Sequence, residues 1–525
     1  MQPKLLLPLA VAALVLTVPA AANAAITTQV AAGTLTITGN EADDNVILAV
    51  NAQGQLTNNF GAANGFSDNT DFDATQPNAQ PIVSGTVGVV ANLGAGNDAI
   101  NLSAADLNNS TLSGEAGDDI IVGSDNADTI SGGDGNDRIT GFRGGDAING
   151  DAGNDVMIWN NGDGTDSNTG GGGVDETQVN ASQITDGMTV KTAPNGFRFD
   201  RVTAVTFGID IIDVDRLAIN GFGGNDTLVT DPGVTLPMTI DAGSGDDTIT
   251  TGDGADLVNG GDGNDALNGG EGGDRIIGDR GGDTFNGGGG DDTTVWNNGD
   301  GSDLMNGDGG VDRVEVNLSA ADEVSTFKPE NGRVRYDRLT QVAFNLSIAT
   351  AEFFELNALG GNDTLTSSPG TGLPIVADGG AGNDVFNVRD NLAGHFFGGS
   401  GTDSATIDNE DTTVDIEAVA KPAVTPAPAP APGAGKPDKT AKYKKGAAAI
   451  KLSCPAGTAG CKGTVTLTYK NRRIGRATYN LAAGQTKTYK VKVSRKPTKR
   501  KPLSVKARVS SDAGADRQYA LKLVL

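Results

Sequence analysis

The sequence predicts an all-β protein in which a parallel β-roll or β-helix solenoid is followed by a small antiparallel β-sandwich. Three observations predict it. A nine-residue motif recurs in one phase, with aspartates at 119, 128, 137, 146 and 155 and an apolar residue two positions after each. The 525 residues include 77 glycines with no collagen triplet, and the in-phase aspartates and apolar residues decide for a turn-rich solenoid over low complexity. Charge is divided: residues 438–525 hold 22 Lys and Arg against 3 Asp and Glu, a net of +19, while the whole chain stands at −27. An acidic body therefore precedes a basic module.

The clearest copy of the motif is Gly132-Gly133-Asp134-Gly135-Asn136-Asp137-Arg138-Ile139-Thr140, flanked in phase by 114–122, 123–131, 141–149 and 150–158. One such copy would mean little, whereas five in succession signal a calcium-dependent parallel β-roll. Glycines permit positive-φ turns and leave their carbonyls free to face a cation, which the aspartate carboxylate also reaches. The three residues around each apolar position form a short strand with that residue pointing inward.

The pattern resembles the RTX, or haemolysin-type, calcium-binding repeats. The resemblance implies a calcium-stabilised roll with two nonapeptides per coil and each Ca²⁺ between neighbouring coils. Aspartates that share an ion are then eighteen residues apart, as in Asp119/Asp137, Asp128/Asp146 and Asp137/Asp155. The metal set it implies is Asp119, Asp128, Asp137, Asp146, Asp155, Asp166 and Asp175 in a first array. A second array supplies Asp247, Asp256, Asp265, Asp274, Asp283, Asp292, Asp303 and Asp312. The matching turn glycines are Gly132, Gly133, Gly135, Gly260, Gly261, Gly263, Gly269, Gly270 and Gly272.

Taken in order, residues 1–24 read as a signal peptide, with Lys4, the apolar run Leu5 to Val18 and the site Ala22-Asn23-Ala24. No later segment is apolar enough to cross a bilayer. Residues 25–113 are N-terminal coils, opening with the alternation Thr34-Leu35-Thr36-Ile37-Thr38. The first array spans 114–178 and the second 242–315, each followed by an insert, at 179–241 and 316–377. A shift of 137 residues lays Trp159-Asn160-Asn161-Gly162-Asp163-Gly164 on Trp296-Asn297-Asn298-Gly299-Asp300-Gly301, and Arg198-Phe199-Asp200-Arg201 on Arg335-Tyr336-Asp337-Arg338. The inserts, with strand-like runs from Phe207 to Ile219 and Phe344 to Leu356, read as wider coils that continue the stack without metal. A degenerate third array and cap at 378–419 leads into a Pro/Ala linker at 420–440. Short alternating runs over 441–525 form the basic β-sandwich.

So many carboxylates along one edge repel each other without cations, so the solenoid is expected to fold only when calcium is present. Cys454 and Cys461, the only cysteines, are expected to pair in an exported chain. His395 is the only histidine, which excludes an HExxH zinc protease and reads as structural. Asp200/Arg201 and Asp337/Arg338 could offer carboxylate chemistry, but their presence in both repeats points to structural salt bridges. Trp159 and Trp296 read as packing residues at the ends of coils. The stripe Arg495-Lys496-Pro497-Thr498-Lys499-Arg500-Lys501 would attract a polyanion, and export favours cell-envelope polysaccharide over nucleic acid. The expected function is a secreted or surface-held calcium-binding structural protein without enzymatic activity, its basic domain holding it to the envelope. The alternative is a β-helix lyase or glycoside hydrolase acting on acidic polysaccharide. A carboxylate and basic cluster present in one repeat only would distinguish it.

Overall fold

The structure is a computed structural model. It describes residues 26–60, 66, 68–73, 81–203, 205–422, 440–444, 447–453, 461–469, 472–482, 485–494, 503–511 and 516–524. The expected signal peptide, most of the linker, Cys454 with the side chain of Cys461, and the basic stripe 495–501 lie outside the described residues. Two units divide after residue 422.

In the first unit, each short strand buries its middle residue because its neighbours on either side point outward. Ile120–Val122, Arg138–Thr140 and Val156–Asn160 pair in parallel, so Ile121, Ile139 and Met157 stack in one column. On the opposite face Thr111–Ala116, Thr129–Asp134 and Ala147–Ala152 stack Leu112, Ile130 and Ile148 in a second column. All six residues are at most 3% exposed. Two such side chains per coil make a thin core, worth about 3–6 kcal/mol of burial. Against it stands the ordering of a glycine-rich chain, which has more backbone freedom to lose than most.

The N-terminal end is closed by side chains. Thr27–Ala31 folds back antiparallel on Thr34–Asn40, and Leu56–Asn58 on Asn45–Val50. Phe60, Phe66 and Phe72 cluster over the end of the core, with the Phe60 and Phe66 rings 5.1 Å apart.

The inserts differ from the wider coils expected of them. Gly187–Ala193, Gly196–Arg201 and Phe207–Ile212 form an antiparallel excursion within one face. Its outer strands rejoin the parallel stack, Phe207–Ile212 on Asp166–Gly172 and Gly187–Ala193 on Thr227–Thr230. The other face spans the same stretch with the single strand Arg216–Asn220. The second insert repeats this with Val324–Glu330, Arg333–Arg338 and Phe344–Ala349. The reason is visible in the core. Trp159 stacks on Phe207 at 3.6 Å, and Trp296 on Phe344 at 3.7 Å, so each coil end carries more apolar surface than one narrow coil covers. Both tryptophans are buried, and each indole N–H donates to a carbonyl, of Gly164 and Gly301. An asparagine ladder runs alongside: Asn180 donates to Asn160 at 2.9 Å and Asn220 to Asn180 at 2.7 Å.

The second unit is the expected small sandwich, antiparallel except where Thr440–Lys444 pairs in parallel with Asp516–Val524. Ala448, Ile450, Leu452 and Val491 pack with Val465, Leu467, Ile474 and Leu481 in its core.

Candidate metal centre

The chain turns between faces along two edges of the solenoid, and a buried acidic residue stands at nearly every turn. Along the first edge the backbone N–H of each donates to the carboxylate of the next coil. Asp98 donates to Asp119 Oδ1 at 2.7 Å, Asp119 to Asp137 at 2.8 Å, Asp137 to Asp155 at 2.8 Å and Asp155 to Asp175 at 2.9 Å. After the insert the row runs from Asp256 through Asp274 and Asp292 to Asp312. The second edge carries Asp128, Asp146 and Asp166, then Asp226, Asp247, Asp265, Asp283 and Asp303, bonded in the same way. The eighteen-residue partners read from the sequence, Asp119/Asp137, Asp128/Asp146 and Asp137/Asp155, are therefore bonded neighbours.

Each of these bonds uses one carboxylate oxygen. The second, Oδ2, is buried without a hydrogen-bond partner at Asp119, Asp137, Asp146, Asp155, Asp175, Asp247, Asp256, Asp265, Asp274, Asp283, Asp292 and Asp312. A stranded charged oxygen is among the most costly groups a protein can bury, and here it recurs coil after coil. Glycine leaves the space around it. A Cβ on Gly132 would lie 2.2 Å from Asp137 Oδ2 and 2.7 Å from the Gly150 carbonyl oxygen, and one on Gly269 would crowd Asp274 Oδ2 and the Gly287 carbonyl equally. Gly260 stands in the same relation to Asp265. Gly133, Gly135, Gly261, Gly263, Gly270 and Gly272 serve differently: all have positive φ, 117° at Gly133 and 99° at Gly261, and they turn the main chain.

The donors are carboxylate and carbonyl oxygens only. Among the described residues no three His, Cys, Asp or Glu side chains converge. An all-oxygen cradle of this kind suits calcium, which takes about six to eight oxygen ligands in flexible geometry. Asp137 Oδ2 and the Gly150 carbonyl would hold it in that coil, and the bound charge would neutralise the row of carboxylates.

Three residues of the expected metal set behave differently. Asp128 has both oxygens satisfied, because Ser124 donates its N–H to Oδ2 at 2.6 Å and its hydroxyl to both oxygens. Asp166 and Asp303 follow the tryptophan loops and leave no stranded buried oxygen. Conversely, Asp98, Asp226, Asp363, Asp384 and Asp403 carry the same stranded oxygen outside that set. The third array is thus less degenerate than expected: Asp363 donates to Asp384, and Asp384 to Asp403. The recurring 21-residue interval, from Asp98 to Asp119, Asp226 to Asp247 and Asp363 to Asp384, was the signal for four of the five.

Without metal, burial favours the protonated form of these carboxylates. Burial, opposed by the bond from the Asp98 amide and reinforced by Asp137 and Asp98, pushes Asp119 up to about 7 from 3.8. Burial likewise pushes Asp146 and Asp274 up to about 8. In the unfolded chain the same groups ionise near their ordinary value, about 4. The metal-free fold therefore binds more protons than the unfolded chain. It is most stable below that value, and it loses this contribution as pH rises toward about 8. In chelator, the far-ultraviolet β-signal should be larger at pH 5 than at pH 8, with calcium closing the gap at pH 8. A larger signal at pH 8 would contradict this.

A family model described as the RTX calcium-binding nonapeptide repeat in four copies matches residues 94–130, 104–137, 122–157, 239–267 and 268–294. No curated protein matches the chain. The matched stretches, which are RTX calcium-binding nonapeptide repeats, include Asp119, Asp137, Asp146, Asp155, Asp265, Asp274 and Asp283, each with a stranded oxygen.

Proposed function

We propose that this chain is an extracellular scaffold that calcium folds after export, held by its basic terminal domain to the anionic polysaccharide of a cell envelope. The observation that carries the reading is the row of buried carboxylates, most with one bonded and one stranded oxygen. Calcium affinities of extracellular modules, with Kd of about 10⁻⁴–10⁻³ M, would leave such a chain unfolded inside a cell and fold it outside. The apolar run in residues 1–24 supports export. Among the described residues no helix is long and apolar enough to cross a membrane.

A scaffold is favoured over a polysaccharide-cleaving enzyme by the candidate acids themselves. They do not form the Asp200–Arg201 and Asp337–Arg338 bridges expected from sequence, because neighbours along a strand point to opposite faces. Asp200 instead bonds Arg198 at 2.9 Å and Lys191 at 3.1 Å, and Asp337 bonds Arg335 and Lys328, each at 2.7 Å. Burial pushes both carboxyls up, but hydrogen bonds from their cationic partners outweigh it and hold them below the usual carboxylate range. A permanently ionised, doubly paired carboxylate is a poor general acid, and its recurrence in both repeats supports a scaffolding role.

Circular dichroism of the full chain at neutral pH tests the calcium reading. The β-signal of the solenoid should be lost in chelator and restored by millimolar calcium; an equal signal in both would contradict it. In calcium, the chain should also sediment with cell-wall fractions. Replacing Lys496, Lys499, Arg500 and Lys501 with alanine should release it, and unchanged sedimentation would remove the stripe from the account.

A further inference from the structure

In most array turns the residue five places before the aspartate is glycine, as Gly132 is to Asp137, with Ala242 before Asp247 and Thr251 before Asp256 among the exceptions. At the first turn of each insert that glycine is gone. Ala181 precedes Asp186 and Leu318 precedes Glu323, both buried; Leu93 before Asp98 and Ala358 before Asp363 leave a stranded oxygen all the same, so it is the partner of the acid that sets these two turns apart. The acid still belongs to the ladder: the Asp186 N–H donates to Asp226 Oδ1 at 2.7 Å, and the Glu323 N–H to Asp363 Oδ1 at 2.8 Å.

Its charge is met from within the chain. Arg201, 4% exposed, donates through Nε to Asp186 Oδ1 at 2.6 Å, through Nη1 to Asn161 at 2.7 Å and through Nη2 to Ser182 Oγ at 3.1 Å. Asp186 Oδ2 accepts the Ser182 N–H and hydroxyl, so neither oxygen is stranded. At the 137-residue offset, Arg338 donates to Glu323 at 3.0 Å and to Asn298 at 2.8 Å, with Ser319 closing on Glu323. The second copy is looser, leaving Glu323 Oε2 and Arg338 Nε unpartnered.

We propose that Arg201 and Arg338 are resident cations that stand in for calcium at the two inserts, so that the inserts fold at calcium concentrations too low for the arrays. This rests on the calcium reading of the arrays. A guanidinium is charged at every working pH and needs no free ion. Around it the insert has its own stabilisation: short-range antiparallel pairing, with Met188 opposite Arg201, and the Trp159–Phe207 stack. Because coils couple only to their neighbours, one block of a solenoid can order while another does not.

Hydrogen exchange of the full chain, followed by mass spectrometry across a calcium titration from chelator, tests the proposal. Peptides from 187–212 and 324–349 should gain protection at about tenfold less calcium than peptides from 114–158 and 257–292. Arg201→Gln and Arg338→Gln should raise the insert midpoints to those of the arrays while leaving the array midpoints in place. Coincident midpoints in the unmodified chain would overturn the proposal, and this comparison decides even if a variant insert never becomes protected. Unmoved insert midpoints in the variants would overturn the assignment to arginine. Arrays already protected in chelator would overturn the calcium reading itself, an outcome distinct from the other two.

Discussion

A carboxylate buried at a turn, one oxygen bonded to the amide of the preceding coil and the other bonded to nothing, sets the terms for the solenoid. The bonded oxygen, as at Asp137 beneath Asp119, fixes the eighteen-residue register between coils and holds the apolar columns in line. The stranded oxygen makes the same arrangement unstable by itself, since an ionised group without a partner cannot be buried cheaply. With only two apolar side chains per coil, the core has little to set against that cost. A cation at each turn, or a proton, is what reconciles the two oxygens.

The same constraint explains where the pattern is allowed to lapse. Ser124 closes Asp128 locally, and its turn needs no further donor. At the inserts a guanidinium takes the carboxylate, and glycine gives way to Ala181 and Leu318. These are also the levels where the two tryptophans are covered, Trp159 by Phe207 and Trp296 by Phe344.

Much of this was legible in the residues, because a nine-residue period fixes both the turn chemistry and the inward position of Ile121, Ile130 and Ile139. The parallel stack and the aspartate pairing followed from it directly. The antiparallel excursions did not: Arg198-Phe199-Asp200-Arg201 alternates as any strand does, and alternation is blind to the direction of pairing. Nor could spacing show that Arg201 reaches Asp186, fifteen residues earlier, past its neighbour Asp200. The stranded oxygen of Asp403 was likewise hidden, since Ala405 stands where a large apolar residue is expected while the carboxylate keeps its place in the ladder.

The central claim is that the stranded oxygens face calcium, and a crystal structure of the full chain grown in saturating calcium tests it most directly. The account predicts anomalous density beside Asp137 Oδ2 and the Gly150 carbonyl, repeating along both edges and missing at Asp186. Coils of the same register with no ion, each Oδ2 protonated and donating to a carbonyl, would contradict it.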